Sequence, residues 1–170
     1  NFTNNSPLRG AKGMVYEGGM RVPFLVSWPA KLKPGKYEQP VIALDFLPTS
    51  LAAAESADLT PKNLDGVNLL PFLSGEKSTA PHDTLFWRTG GPGGNNAIRR
   101  GTLKLVRLGK AEPELYDLST DIGESKNLAA EKPAVVQELV AAIADWEKGT
   151  IKPIFESPKQ GKPGAKKKKK

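Results

Sequence analysis

The apolar positions of this chain change their spacing near residue 84, and the two regions predict different structures. Before that point, Val22 to Trp28 (VPFLVSW) is a nearly unbroken apolar run closed by Pro29, which predicts a buried strand. KLKPGKYEQ (31–39) is a polar turn built on Pro34-Gly35. ALDFLPTSLAAAE (43–55) holds good helix formers after Pro48, with Asp45 placed to cap a first turn. SADLTPKNLDG (56–66) reads as loop, and VNLLPFLSG (67–75) as a short helical or extended piece ending at Gly75.

From Thr84 onward, short segments alternate with turns. TLFWR (84–88), AIRR (97–100), LKLVRL (103–108) and ELYDL (114–118) predict four strands of an antiparallel meander. Leu103, Leu105 and Val106 break strict alternation, which predicts one covered face. After the turn TDIGE (120–124), Pro133 opens an amphipathic helix. Val136, Leu139, Val140, Ile143 and Trp146 recur on one side of it, and Gly149 stands at its C-terminal cap. That helix has the right face to cover the meander.

Charge changes this picture only at the end of the chain. The net charge of +7 over 170 residues suggests a nucleic-acid partner at first sight. Residues 158–170, however, carry seven lysines (Lys159, Lys162 and Lys166 to Lys170) and no acid. Setting those seven aside from the 25 cationic residues leaves 18, matched by the 18 Asp and Glu. The body is neutral, with no basic stripe for a nucleic acid. The tail is too polar to fold and is expected to be disordered, with weak tethering to an anionic polymer as its candidate role. No apolar run approaches the ~18 residues of a membrane span. The absence of cysteine excludes disulfides, thiolate zinc sites and thiol catalysis within these residues, and one histidine cannot make a His-rich metal site. Asn1 to Pro7 has neither the charge nor the apolar stretch of a signal peptide, so the chain reads as a piece of something longer.

The densest candidate chemistry is PLRGAKGMVYEGGMRVP (7–23). Its glycines let the backbone turn sharply, and Lys12 between Gly10 and Gly13 could project an ammonium toward a tetrahedral anion. On the residues alone, a solvated loop lysine is the competing reading. Glu17 and Arg21, four residues apart, suggest a pair that fixes the loop.

The pattern GxKGxxxEGGxRVP, followed by an apolar segment and Trp-Pro, resembles the sulfatase family. These are formylglycine-dependent sulfate ester hydrolases of the alkaline-phosphatase superfamily. VIALDFLPTSLAAA (41–54) is similar to the family's Asp-x-x-Pro-Thr segment, and LDGVNLLPFLSGE (64–76) to its Asp-Gly-x-x-Leu segment. TLFWR, AIRRGTLKLVR and ELYDLSTDIGESKNLA (114–129) resemble its C-terminal subdomain, in the family's order.

The resemblance implies an α/β fold: the C-terminal part of an alkaline-phosphatase-like sulfatase, with a small α+β subdomain of antiparallel meander plus one helix. Residues 1–80 would belong to the larger catalytic α/β domain, 81–150 to the subdomain and 151–170 to the tail. It implies that Lys12 contacts the sulfate group. The glycine-rich loop TGGPGGNN (89–96) would border the substrate pocket, making Arg88, Asn95 and Asn96 candidate contacts to a sulfated small molecule or polysaccharide. The family's nucleophile stands in Cys/Ser-x-Pro-x-Arg, which does not occur here. Its Ca2+ ligands include an Asp-Asp pair and a later Asp-Asn. Asn4-Asn5 lacks the carboxylate such a hard cation requires. Calcium and formylglycine are thus expected in the complete enzyme, supplied by an N-terminal portion that acts as partner, and this chain alone is expected to be inert. The resemblance implies a periplasmic or extracellular location. Two alternatives stand beside it: a non-catalytic remnant that binds anionic glycans, and a phosphonate or phosphodiester hydrolase of the same superfamily. His82, next to Asp83, reads as structural, and Trp28, Trp87 and Trp146 as packing residues rather than sugar platforms.

Overall fold

The computed structural model describes residues 4–56, 63–91 and 93–151. The Lys-rich tail beyond Ile151, the centre of the 56–66 loop and Pro92 in the 89–96 loop lie outside the described residues.

The four expected strands form one antiparallel sheet in chain order: β1 (Thr84–Thr89), β2 (Asn95–Arg100), β3 (Leu103–Arg107) and β4 (Glu114–Asp117). The register pairs Phe86 with Ile98, Ile98 with Leu105, and Leu105 with Leu115. These residues make one apolar row across the sheet. Helix α4 (Pro133–Lys148) lies on that row, burying Leu139 and Ile143 against Ile98, Leu105 and Leu115. Each such aliphatic side chain contributes roughly 1.5–3 kcal/mol on full burial. Gly149 is the C-cap residue of α4, at φ −83°, with its N–H donated to Trp146 O at 3.1 Å.

Both faces of the sheet are covered, where the strand pattern had suggested one. The glycine-rich loop near the N-terminus lays Val15 and Tyr16 against Ala97, Val106, Tyr116 and Leu118 on the face opposite α4. Within it, α1 (Glu17–Met20) is a single turn. A doubly covered sheet explains why β3 does not alternate cleanly: Lys104, Leu105 and Val106 are all fully buried.

The region from 22 to 75 differs. The run 22–28 is not a strand, contrary to the pattern. It lies in irregular structure, with Val22 and Leu25 exposed at 75% and 88%. A strand exists by pairing, and no described segment lies alongside to donate or accept its ladder bonds. The helix expected over 43–55 forms as a 3-10 turn (Ala43–Asp45) leading into α2 (Phe46–Ala53), and α3 (Leu70–Leu73) follows. Asp45 is the N-cap residue of α2 but makes no side-chain cap bond to that helix, and caps the preceding 3-10 turn instead. Because the 3-10 turn precedes the helix, its carboxylate reaches back and accepts from Ile42 N at 2.9 Å. It also accepts from Val67 N at 2.9 Å.

Candidate functional site

The loop carrying Lys12 is fixed by its own backbone. Gly18 N donates to Arg9 O at 2.7 Å and Met14 N to Ala11 O at 3.0 Å. The Asn5 amide donates to Gly10 O and Gly18 O at 3.1 and 3.0 Å, tying the two ends together. Gly13, next to Lys12, has φ +89°, a conformation that side chains other than glycine avoid. At Gly19 a Cβ would fall 2.2 Å from Met14 O, so the packed turn excludes any side chain there.

Two ionic groupings attach this loop to the sheet. Arg9 donates to Tyr116 Oη at 2.7 Å, to Glu124 O at 3.1 Å and to Glu114 Oε2 at 3.3 Å, and its guanidinium lies 4.1 Å from the Tyr16 ring centre. Tyr16 and Tyr116 both donate to Glu114 Oε2, at 2.6 and 2.7 Å. Burial acts to raise the Glu114 carboxyl pKa. The hydrogen bonds from Tyr16 and Tyr116 and the charge of Arg9 outweigh it and hold the group below the ordinary range. Burial and the Glu114 charge push the Tyr16 phenol up to about 12, and Tyr116 is raised by the same causes.

The second grouping is buried. Lys104 Nζ lies 2.8 Å from Glu17 Oε1 and 2.8 Å from Glu124 Oε1. Glu17 N donates to Glu124 Oε2 at 2.7 Å. Arg21, half exposed, stands 3.7 Å from Glu17 Oε2. The expected Glu17–Arg21 pair is therefore a loose outer contact, and the buried partner of Glu17 is Lys104. Burial raises the Glu124 carboxyl, with Lys104 acting the other way.

A separate pair joins the helical region to the residues just before β1. His82 Nε2 is 2.8 and 2.9 Å from the two oxygens of Asp45, and both side chains are buried. The partner of His82 is thus 37 residues away, not its neighbour Asp83.

Against this anchored background Lys12 is exposed and makes no ion pair among the described residues. Of the other candidates, Arg88 donates to Thr150 Oγ1 at 2.8 Å and to Ile151 O at 3.2 Å, and faces the Trp146 ring at 5.8 Å. Asn96 pairs in register with Arg88 and Arg107 and is wholly buried, its amide atoms without partners. By strand alternation both share the α4 face with Ile98, whereas the Lys12 loop lies on the other face, so the structure does not bring them to Lys12. Asn95, partly exposed, closes the β1–β2 hairpin opposite Thr89. Trp146 stacks on Phe86 (centroids 5.1 Å apart, planes 5° off parallel), and Trp87 packs on the Val15–Tyr16 cluster. Trp28 lines a shallow apolar cavity of about 250 Å3 with Phe24, Val26, Phe46, Ala53 and Leu70. Among the described residues no three His, Asp or Glu side chains gather as a metal site would need, so these residues do not fit a calcium ion.

Lys104 and Glu124 were not among the residues singled out by motif. The available signal was a lysine inside the apolar strand LKLVR, which in a sheet covered on both faces must find a carboxylate.

Residues 11–148 match the family described as N-sulphoglucosamine sulphohydrolase, C-terminal. The chain is 29% identical to the uncharacterized sulfatase YdeN of Escherichia coli K12, with 89% of this chain and 33% of that protein aligned. It is 37% identical to arylsulfatase A of Homo sapiens, over 80% of this chain and 31% of that one. The crystal structure of Ps i-CgsB in complex with k-i-k-neocarrahexaose matches with a TM-score of 0.75 at 31% identity, covering 85% of this chain and 32% of that one. The chain spans about a third of the length of the curated relatives it matches. With the family match running from the residue before Lys12 to the last residue of α4, the chain belongs to the sulfatases, in the N-sulphoglucosamine sulphohydrolase C-terminal family.

Proposed function

We propose that this chain is the C-terminal part of an enzyme that hydrolyses sulfate esters, and that Lys12 is its contribution to sulfate binding. The observation that carries this reading is the contrast within one loop. Arg9, Glu17 and Arg21 are engaged in ion pairs, while the Lys12 ammonium is left exposed beside a left-handed glycine on a backbone held at both ends. A lysine so placed acts as a compact positive charge toward the oxygens of a sulfate group, with no reorganisation of the loop.

The nucleophile, converted to formylglycine, and the calcium ligands are assigned to the rest of the enzyme. The exposed apolar residues Val22, Phe24, Leu25, Phe46 and Leu47 are the surface that portion would cover. On this reading the isolated chain turns over nothing. The substrate class is an aryl or carbohydrate sulfate, the latter supported by the k-i-k-neocarrahexaose bound to Ps i-CgsB. A periplasmic or extracellular site of action suits such a polymer. Among the described residues no helix is long and apolar enough to cross a membrane.

The test is Lys12→Ala in the enzyme containing this chain, assayed on 4-nitrophenyl sulfate and a sulfated oligosaccharide. Turnover should fall by ~10²–10³, as on removing one oxyanion donor. Turnover within threefold of the parent would overturn the assignment.

A further inference from the structure

The buried charge beneath the Lys12 loop is more elaborate than a loop tether needs. Lys104 and Glu124 are both wholly buried, and together they hold the backbone N–H and the carboxylate of Glu17. Glu124 also has φ +52°. The backbone at that position favours glycine, so the glutamate is kept in an unfavourable conformation by what its side chain contacts. The turn presenting it is itself tied, since the Asp121 carboxylate accepts from Ser125 N and Lys126 N at 2.8 Å each.

Lys12 has no side-chain partner among the described residues, so the loop backbone fixes only the point from which its flexible side chain reaches. That backbone closes through Gly18 onto Arg9, one residue from Glu17. We propose that Lys104 and Glu124 are positioning residues for sulfate recognition, clamping Glu17 so that the backbone carrying Lys12 is held where its ammonium can reach the sulfate group. This rests on the reading of Lys12 as the sulfate-contacting cation. Neither residue touches sulfate. Each acts through Glu17.

The test uses the enzyme containing this chain, with two readouts: turnover of 4-nitrophenyl sulfate, and hydrogen exchange of the amides of residues 10–19. Glu124→Gly relieves the backbone while deleting the clamp, and Glu124→Gln keeps an acceptor for Glu17 N while removing the charge opposite Lys104. With Glu124→Gly, kcat should fall by about 10²-fold, as for a ~1 Å misplacement. Loop amides should exchange at least tenfold faster, as expected of a locally opened segment, with β2 and β3 unchanged. Glu124→Gln should move both readouts in the same direction by less. Lys12→Ala should lower turnover without changing loop exchange. Turnover within threefold of the parent and unaltered loop protection in Glu124→Gly would overturn the clamp while leaving Lys12 in place. Retained turnover in Lys12→Ala would instead remove the sulfate contact, and the proposal with it, whatever the loop does.

Discussion

The meander and the segment from 22 to 75 are both rich in apolar residues, yet they use them in opposite ways. In the meander every strand pairs with its neighbour in sequence, and the two faces are closed by α4 and by the glycine-rich loop. Ile98, Leu105, Val106 and Leu115 are fully buried. In the earlier segment Phe24, Leu25, Phe46 and Leu47 stay at least 48% exposed, and two short helices lean on each other around a shallow cavity. Apolar composition alone therefore does not make a core. Local pairing does, because a strand whose partners are adjacent in sequence closes short loops, whereas one needing distant partners stays open until they arrive.

This contrast can be broken most directly in the sheet. Leu105→Ala removes a side chain packed on both Ile98 and the α4 row, and should cost ~2–5 kcal/mol in urea denaturation followed by tryptophan fluorescence. A cost below about 1 kcal/mol would mean that the doubly covered row is not the stabilising core. Gly19→Ala should cost ~1–3 kcal/mol, because its methyl meets Met14 O and Ala11 O with no room to relax. It should also loosen the loop before the sheet, as read by limited proteolysis.

The loop–sheet contacts titrate at both ends of the pH scale. Glu114 is held below the ordinary carboxyl range, so its contribution is present above about pH 4.3 and is lost as the pH falls through its folded value. Tyr16 is raised to about 12, so its contribution is complete below its unfolded value and is lost as the pH rises toward 12. Tyr16→Phe should reduce the alkaline limb of a stability–pH profile, leaving the part due to Tyr116, and should shrink the acid limb as well, because one hydrogen bond that holds Glu114 down is lost. An alkaline limb identical to the parent's would separate Tyr16 from the cluster. At the small end, Leu25→Ala should change the stability of this chain by no more than about 0.5 kcal/mol, as for an exposed residue.

Sequence reasoning reached these regions unequally, for physical reasons. All four strands and α4 were legible because local alternation and helical spacing are set by contacts between neighbours. The run 22–28 misled because its apolar character reports burial, and burial says nothing about which segment does the burying. The candidate site divides in the same way. Lys12 was legible as a candidate because glycines on both sides of a lysine are an unusual local arrangement. Lys104 and Glu124 were not, since a buried ion group assembled from residues 17, 104 and 124 leaves no local spacing to find. His82 shows the same limit: its partner Asp45 is close in space and remote in sequence.

The contacts that tie the glycine-rich loop to the sheet span most of the chain: Arg9 to Tyr116, and Glu17 to Glu124, are each separated by 107 residues. During synthesis the loop is made well before its anchors. A ribosome delivering ~5–20 residues per second leaves Lys12 without its support for several seconds, until the turn at Glu124 has emerged. A product terminated before that turn would carry the whole glycine-rich motif and still lack the means to hold it. The arrangement thus makes emergence of the turn at Glu124 the condition for an ordered glycine-rich loop.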